Sequence, residues 1–257
     1  MSKLILGFLS LVMLSACSDS WIPHEIDLKL GNQSKAFIDE NPSQFKIIEP
    51  KNAPFAYERL EAIRDEILKS GAVQNKAYFT WDLQIIEDDS VLNAFCLPGG
   101  HIYVYTGLIK YLKSEAALAG VIGHEIAHAD ERHSVKQMVK NMGIGLLLQF
   151  VLGIDHAGIL NMGANLLSLS FSRSDESDAD ALSVKYLYPT QFDARGAAHF
   201  FEQIEKDRQS NQILEFISTH PNPDNRVQNI EKIWRDLGAK EGKLYTDRYK
   251  KIIQDLP

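Results

Sequence analysis

Cysteine, positive charge and long apolar runs are all scarce in this sequence of 257 residues, and each shortage excludes a class of protein. The two cysteines, Cys17 and Cys96, are too few for a disulfide framework. The 27 lysines and arginines are outnumbered by 34 aspartates and glutamates. The resulting net charge of -7 argues against general nucleic-acid binding, which requires a basic face. The chain shows no internal repeat and no low-complexity block.

The composition that is present is that of a globular protein. Hydrophobic residues make up 45% of the chain and charged residues 24%, which excludes a disordered chain and a collagen-like one. The length is sufficient for a domain with a substantial single core.

Residues 1–16 have the pattern of an export signal. Lys3 precedes an apolar run, Leu4 to Leu14, that is shorter than the about 20 residues of a membrane-spanning helix. The alternative is a buried first helix. The end of the run, Leu14-Ser15-Ala16-Cys17, resembles the lipobox of bacterial lipoproteins, which implies cleavage before Cys17 and lipidation of that cysteine. Ser18 after it implies sorting to the outer membrane.

Three short strands are predicted between residues 77 and 106. Apolar and polar residues alternate over 77–87, which is typical of a half-buried strand. Residues 91–96 and 101–106 are predicted as the next two strands, with Pro98-Gly99-Gly100 as the turn between them. Cys96 has no partner in the chain if Cys17 is acylated, and we expect it to be buried and inert.

Helical periodicity covers most of the remaining chain. The predicted helices are 54–70, 114–140, 174–188, 193–208 and 224–237. Residues 17–53 contain several prolines and are interpreted as an irregular lead-in from the anchor. The apolar segment 142–170 is interpreted as a buried or flap-like helical hairpin, with a membrane- or substrate-facing element as the alternative. We therefore predict an α+β fold that is mainly helical, with a small three- to four-stranded sheet.

Residues 124–128 read His-Glu-Ile-Ala-His, the motif H-E-x-x-H, inside the helix predicted over 114–140. Residues four apart lie one above the other on a helix, so His124 and His128 can reach the same metal ion. Glu125 lies off that axis and suits a water molecule held by the metal, where it would act as a general base. The alternative is a pair of unrelated helix histidines.

A catalytic zinc site needs a third protein ligand. The metzincin spacing would place Gly at 131 and His at 134, but the chain has Glu131 and Ser134, which excludes that class. His133 is out of register and is interpreted as a solvated residue at the helix end. Glu176 and Asp180 are also four apart, so one can bind the metal while the other accepts the free N–H of a ligand histidine. Alternatively, these acids only favour the start of a helix through its dipole.

Other short motifs accompany H-E-x-x-H along the chain. They are Asn93-Ala94-Phe95, Pro98-Gly99-Gly100, Thr106-Gly107-Leu108, Glu176-x-x-Ala179-Asp180 and Thr219-His220-Pro221, with Arg226 beyond. In this order they resemble the zinc metallopeptidases that include the CAAX prenyl proteases, the HtpX-like proteases and the BepA-like proteases. The resemblance implies a zincin-like (gluzincin) metallopeptidase domain with an active-site helix over residues 54–257.

The resemblance also implies roles for individual residues. It implies one Zn²⁺ per chain held by His124, His128 and Glu176, with Asp180 as the partner of a ligand histidine. His220 would lie near the zinc, either stabilising the oxyanion or occupying the fourth position as a latch; a loop histidine fixed by Pro221 is the alternative. The edge that pairs with an extended substrate would be formed by Asn93, Ala94, Gly99 and Gly100. Arg226 is expected to tie acidic residues together.

The functional hypothesis is a lipid-anchored zinc endopeptidase at the outer membrane, facing the periplasm. Its expected partners are unfolded or misassembled envelope proteins and the outer-membrane assembly machinery, with segment 142–170 as a lid over the cleft. The alternative is a non-proteolytic, zinc-holding, chaperone-like factor. Glu125 favours the enzyme, because a structural zinc site has no use for a base. Lipid-surface binding through 142–170 is a third interpretation. The membrane spans and the C-terminal tetratricopeptide array of larger relatives are not seen, so we expect a small single-domain lipoprotein.

Overall fold

The structure is a computed structural model. It describes residues 22–151, 166–167, 169–207, 216, 218–221 and 225–257. The predicted signal segment 1–16, the lipidation site Cys17 and most of the predicted hairpin 142–170 lie outside these residues. Among the described helices, none combines the length and the apolarity that crossing a membrane requires.

The sheet has three strands: β1 (Leu83–Ile86), β2 (Ala94–Leu97) and β3 (His101–Tyr105). Their order is β1-β3-β2, with β1 parallel and β2 antiparallel to the central β3. Ile102 faces Leu83 on one side and Cys96 on the other. The second and third predicted strands and the turn between them are thus confirmed, and β2 forms one edge of the sheet.

The first predicted strand begins later than residue 77. Trp81 has a φ of 54°, in the left-handed region that a β-strand cannot contain, and the chain from Asn75 to Phe79 is a turn. Phe79 and Trp81 are nevertheless buried. Their alternation with polar residues therefore indicated burial correctly but strand pairing wrongly, since the ladder starts only at Leu83.

The described helices are α1 (His24–Glu40), α2 (Pro54–Lys69), α3 (Thr106–Tyr111), α4 (Glu115–Asp130), α5 (His133–Met142), α6 (Ile144–Val151), α7 (Arg173–Leu187), α8 (Gly196–Lys206), α9 (Arg226–Asp236) and α10 (Thr246–Asp255). Every residue of α4 is buried, because α7 and α8 pack along it and α2 and the sheet cover its remaining sides. The helix that carries H-E-x-x-H is therefore the central element of the core, as its apolar flanks predicted.

Helix α1 corrects the interpretation of residues 17–53 as an irregular lead-in. Ile22, Ile26 and Leu30 are spaced by four residues and bury one stripe of this segment against α5 and α6. Gly31 allows close contact, since a Cβ there would lie 1.8 Å from the carbonyl oxygen of Pro98. The prolines that suggested irregular structure lie outside the helix, at positions 23, 42 and 50.

The predicted helix 114–140 is interrupted between α4 and α5. Ser114 caps its start as predicted, accepting a hydrogen bond from the backbone N–H of Ala117. Arg132, however, adopts a left-handed conformation with φ 59°. Its guanidinium donates hydrogen bonds to Asp27 of α1 and to the carbonyl oxygen of Ile22. The interruption depends on this contact with a distant segment, so local periodicity does not reveal it.

Helices α7, α8 and α9 confirm the predicted helices 174–188, 193–208 and 224–237 within a few residues. The predicted cap Asp224 lies outside the described residues. Helix α10 was not predicted; it packs on α2, where Asp255 accepts a hydrogen bond from the backbone N–H of Ala56. Cys96 is a free, buried thiol, and burial raises its pKa well above the ordinary value, in agreement with an inert cysteine.

Candidate metal centre

Helix α4 presents both histidines of H-E-x-x-H toward the same point. His124 and His128 are buried, and their Nε2 atoms lie 3.0 Å apart. This spacing follows from helix geometry, because residues four apart stand on one face. Glu125 is also buried and lies beside this pair.

Helix α7 brings a carboxylate to the two imidazoles. Its first turn is held by a capping box, in which Ser172 and Asp175 hydrogen bond to each other's backbone N–H. One residue later, Glu176 places Oε2 3.5 Å from Nε2 of His124 and Oε1 3.4 Å from Nε2 of His128. Asp175 and Glu176 thus lie in the first turn of α7, where the helix dipole favours acidic residues, and Glu176 also lines the site.

The approach of α7 to α4 depends on small residues at the contact. A Cβ on Gly123 would lie 3.0 Å from Oγ of Ser183, and that hydroxyl donates a hydrogen bond to the carbonyl oxygen of Gly120. Larger side chains here would separate the helices and move Glu176 away from the histidines.

His220 completes the cluster from a different part of the chain. Its Nδ1 lies 3.0 Å from Oε1 of Glu176, and its Nε2 lies 3.8 Å from Oε1 of Glu125. The ring is buried and stacks on Phe216, with the centroids 4.8 Å apart. These contacts argue against the alternative of a loop histidine that is fixed only by Pro221.

These four side chains fit a metal ion. Each of His124, His128, Glu176 and His220 offers a ligand atom, and these atoms lie within 4.8 Å of one another. Four donors at zinc-ligand distances in a tetrahedron are separated by about 3.3 Å, close to the contacts described above. Oε2 of Glu176 is buried between Nη1 of Arg226, at 3.0 Å, and Nε2 of His124, at 3.5 Å, and these contacts keep the carboxylate at the cluster.

The charges around the cluster favour an ionised Glu176. Burial raises the pKa of this carboxyl, but His220, His124 and His128 lower it well below its ordinary range. Burial lowers the pKa of His128 well below its usual value, so this imidazole is neutral and able to bind a metal. Burial raises the pKa of Glu125, the direction expected of a proton acceptor that works near neutral pH.

Asp180 and Arg226 support the His124 side of the cluster. Oδ1 of Asp180 lies 3.0 Å from Nδ1 of His124. Arg226 donates hydrogen bonds to both carboxylate oxygens of Asp180, at 2.7 and 2.5 Å, and its Nη1 lies 3.0 Å from Glu176. Arg226 therefore ties the two acids of α7 together, as the sequence suggested.

The interpretation of His133 as a solvated residue is wrong. Its side chain is buried, and its Nδ1 lies 2.9 Å from Nδ1 of His128. The interruption at Arg132 alters the direction in which His133 points, so its register on a continuous helix was misleading. The only sign in the sequence that His133 contacts the site was its position shortly after H-E-x-x-H.

The predicted substrate residues are placed in different ways. Asn93 lines a cleft together with Glu125 and His220, and Leu169 and Phe171 lie on the side opposite β2. Ala94 is buried within the sheet, paired with β3. Gly99 and Gly100 form the turn beyond β2, with positive φ of 80° and 90°, and pack against Leu28 and Trp81 respectively. Their pairing with a substrate stays a prediction.

Comparisons with known proteins match this site and its surroundings. The sequence profile of peptidase family M48 matches residues 54–234. The mitochondrial metalloendopeptidase OMA1 of Arabidopsis thaliana is 35% identical over 55% of this chain, and that of Schizosaccharomyces pombe 32% identical over 63%. The β-barrel assembly-enhancing protease of Escherichia coli is 28% identical over 56% of the chain. The matched regions span 29%, 49% and 32% of these relatives, respectively.

Proposed function

Because the chain belongs to peptidase family M48, we propose that it is a zinc-dependent endopeptidase in which His124, His128 and Glu176 hold the ion. The observation that carries this proposal is the convergence of these three side chains in one buried cluster, with Glu125 beside it. Two imidazoles and one carboxylate are the ligand set of catalytic zinc in several peptidases. A zinc ion bound there supplies Lewis-acid activation of water and of the substrate carbonyl group.

Glu125 acts as the general base. Its Oε1 is buried without a hydrogen bond, so this oxygen can accept a proton from the attacking water. The same carboxyl then delivers the proton to the leaving amine nitrogen, which returns Glu125 to its ionised form. The raised pKa of Glu125 suits both transfers.

We infer that His220 acts as a latch. Its Nδ1 lies with the three proposed ligands, so it would occupy the fourth position that a substrate or water needs. Release of His220 would open that position to water or substrate. This arrangement also supports the alternative of a non-proteolytic clamp, because a permanently latched site would bind zinc without cleaving.

The proposed substrates are unfolded or misassembled envelope proteins. Strand β2 is an edge of the sheet, and edge strands bind extended chains through main-chain hydrogen bonds. The lipobox-like Leu14-Ser15-Ala16-Cys17 and the similarity to a β-barrel assembly-enhancing protease support a lipid-anchored protein of the outer membrane, on the periplasmic side. Acyl labelling of wild type but not of Cys17→Ala would test the anchor.

The test of the proposed reaction is digestion of casein by the purified protein, with zinc content measured in parallel. Wild type should bind one zinc and cleave. Glu125→Gln should keep the zinc and lose about 10²–10⁴-fold in rate. Glu202→Gln on α8 serves as the matched control and should cleave like wild type.

His220→Ala distinguishes the peptidase from the clamp. A latched peptidase should cleave faster once His220 is removed, whereas a clamp should remain inactive and still bind zinc. If neither wild type nor His220→Ala cleaves casein, the proposed reaction is wrong.

A further inference from the structure

His133 owes its position to the interruption of the helix before it. On a continuous helix, residues five apart point about 140° away from each other, so His133 would face away from His128. The left-handed Arg132 ends α4 and redirects the chain into α5. The ring of His133 thereby lies against the end of α4, with a 5.0 Å distance between its centroid and that of His128.

The contact holds the outer edge of the His128 ring. Nδ1 of His133 lies 2.9 Å from Nδ1 of His128, and only 4% of His133 is exposed. Phe171 stacks on a face of the same ring at 3.9 Å between centroids. His128 is therefore fixed at an edge by a polar contact and on a face by an aromatic one.

The two nitrogens in this contact cannot both carry a proton. When Nε2 of His128 binds a metal, its Nδ1 must be protonated and needs an acceptor. Nδ1 of His133 is the atom that faces it, so His133 accepts there and carries its own proton on Nε2. That nitrogen lies 3.9 Å from Oδ1 of Asp175, the residue before Glu176.

We infer that His133 is a positioning residue that orients His128 toward the metal by accepting the hydrogen bond from its Nδ1. The inference rests on the metal site proposed above and adds a residue to it. His124 is supported by the carboxylate of Asp180, whereas His128 is supported by an imidazole that reaches toward the start of α7. The two ligand histidines thus have partners of different charge.

The test measures the zinc affinity of the full chain by competition with a chromophoric chelator. His133→Phe keeps an aromatic ring without an acceptor and should bind zinc about 10–100-fold more weakly. His133→Asn places an amide oxygen where Nδ1 was and should restore most of the affinity. His199→Asn, a half-buried histidine of α8, is the control and should bind like wild type.

Two further measurements separate orientation from structural support. Melting temperatures without metal should not follow the order of the zinc affinities; if they do, His133 only supports the fold and the inference is wrong. In ¹⁵N NMR spectra of the zinc-loaded protein, His133 should carry its proton on Nε2, and a proton on Nδ1 would overturn the inference. Unchanged affinity in His133→Phe would also overturn it, whereas failure of wild type to bind zinc would overturn the proposed metal site itself.

Discussion

Two buried glutamates of α4 differ in how completely their carboxylate oxygens are hydrogen-bonded. At the start of the helix, Glu115 accepts hydrogen bonds from Arg59, at 3.1 and 2.8 Å, and from Arg248. It also lies in the first turn, where the helix dipole favours an anion. Every interaction that this carboxylate requires is supplied by the protein.

Further along the same helix, at the candidate metal centre, the carboxylate of Glu125 is incompletely paired. Its Oε1 is buried without a hydrogen bond, although three imidazoles lie around the site. Burying an acceptor without a partner costs free energy. A protein keeps such an acceptor where a ligand or substrate supplies the missing interaction. Burial is thus common to Glu115 and Glu125, and the unsatisfied oxygen distinguishes the glutamate at the candidate metal centre.

Glu115→Gln should give the largest loss of stability. Two arginines would lose their buried partner, and the free energy of unfolding should fall by about 3 kcal/mol, measured by urea denaturation. Glu241→Gln, which removes an exposed partner of Arg195, should change it by less than about 1 kcal/mol. Zinc affinity should not change in either variant. A loss of zinc binding in Glu115→Gln would show that the two ends are not independent.

Zinc binding at the candidate metal centre should raise the free energy of unfolding by a slightly smaller amount. At a free zinc concentration of about 100 times Kd, the expected gain is about 2.7 kcal/mol, or about 5–10 °C in Tm for a domain of this size. Chelation should reverse the gain. Glu176→Gln should lose it, since one proposed ligand is removed, and an equal zinc-dependent rise in that variant would contradict the assignment of Glu176.

The metal-free protein should lose stability as the pH rises from 6.5 to 9. Burial lowers the pKa of His124, but Asp180 and Glu176 raise it to about 9. A raised pKa in the folded state stabilises the protein below the unfolded value of about 6.5, and this contribution disappears as the pH passes about 9. The expected loss is about 3 kcal/mol, measured by denaturation at each pH.

Asp180→Asn should flatten this pH dependence, because it removes the group that contributes most to raising the pKa of His124. Glu115→Gln should leave the dependence unchanged, since its partners are Arg59 and Arg248 rather than His124. A steep decrease that persists in Asp180→Asn would contradict the contact between Asp180 and His124.

Much of the site was predictable because it consists of short helical spacings. His124 and His128, and likewise Glu176 and Asp180, are four residues apart, and helix geometry puts each pair on one face. The predicted small sheet, its turn at Pro98-Gly99-Gly100 and the cap at Ser114 were equally local features. These patterns can be recognised without knowing where the rest of the chain lies.

The errors have a common cause. Arg132 leaves regular structure where its side chain contacts another segment, and His133 is buried because the helix is interrupted there. The partner of Arg132, Asp27, belongs to α1, a helix that was interpreted as irregular. Each of these features depends on residues far away in the sequence, which periodicity within a short window does not report.

The sequence by itself determined which residues share a helix face and which chemical groups each face carries. Helix periodicity follows from backbone geometry, and the spacing of four is therefore read directly from the chain. Only the tertiary structure decided that the faces of α4 and α7 meet closely, through the contact of Gly123 with Ser183. It alone placed His133 against His128, and it supplied the contacts of His220, which only the family resemblance had suggested, because packing between distant segments depends on the shapes of all the side chains in the core.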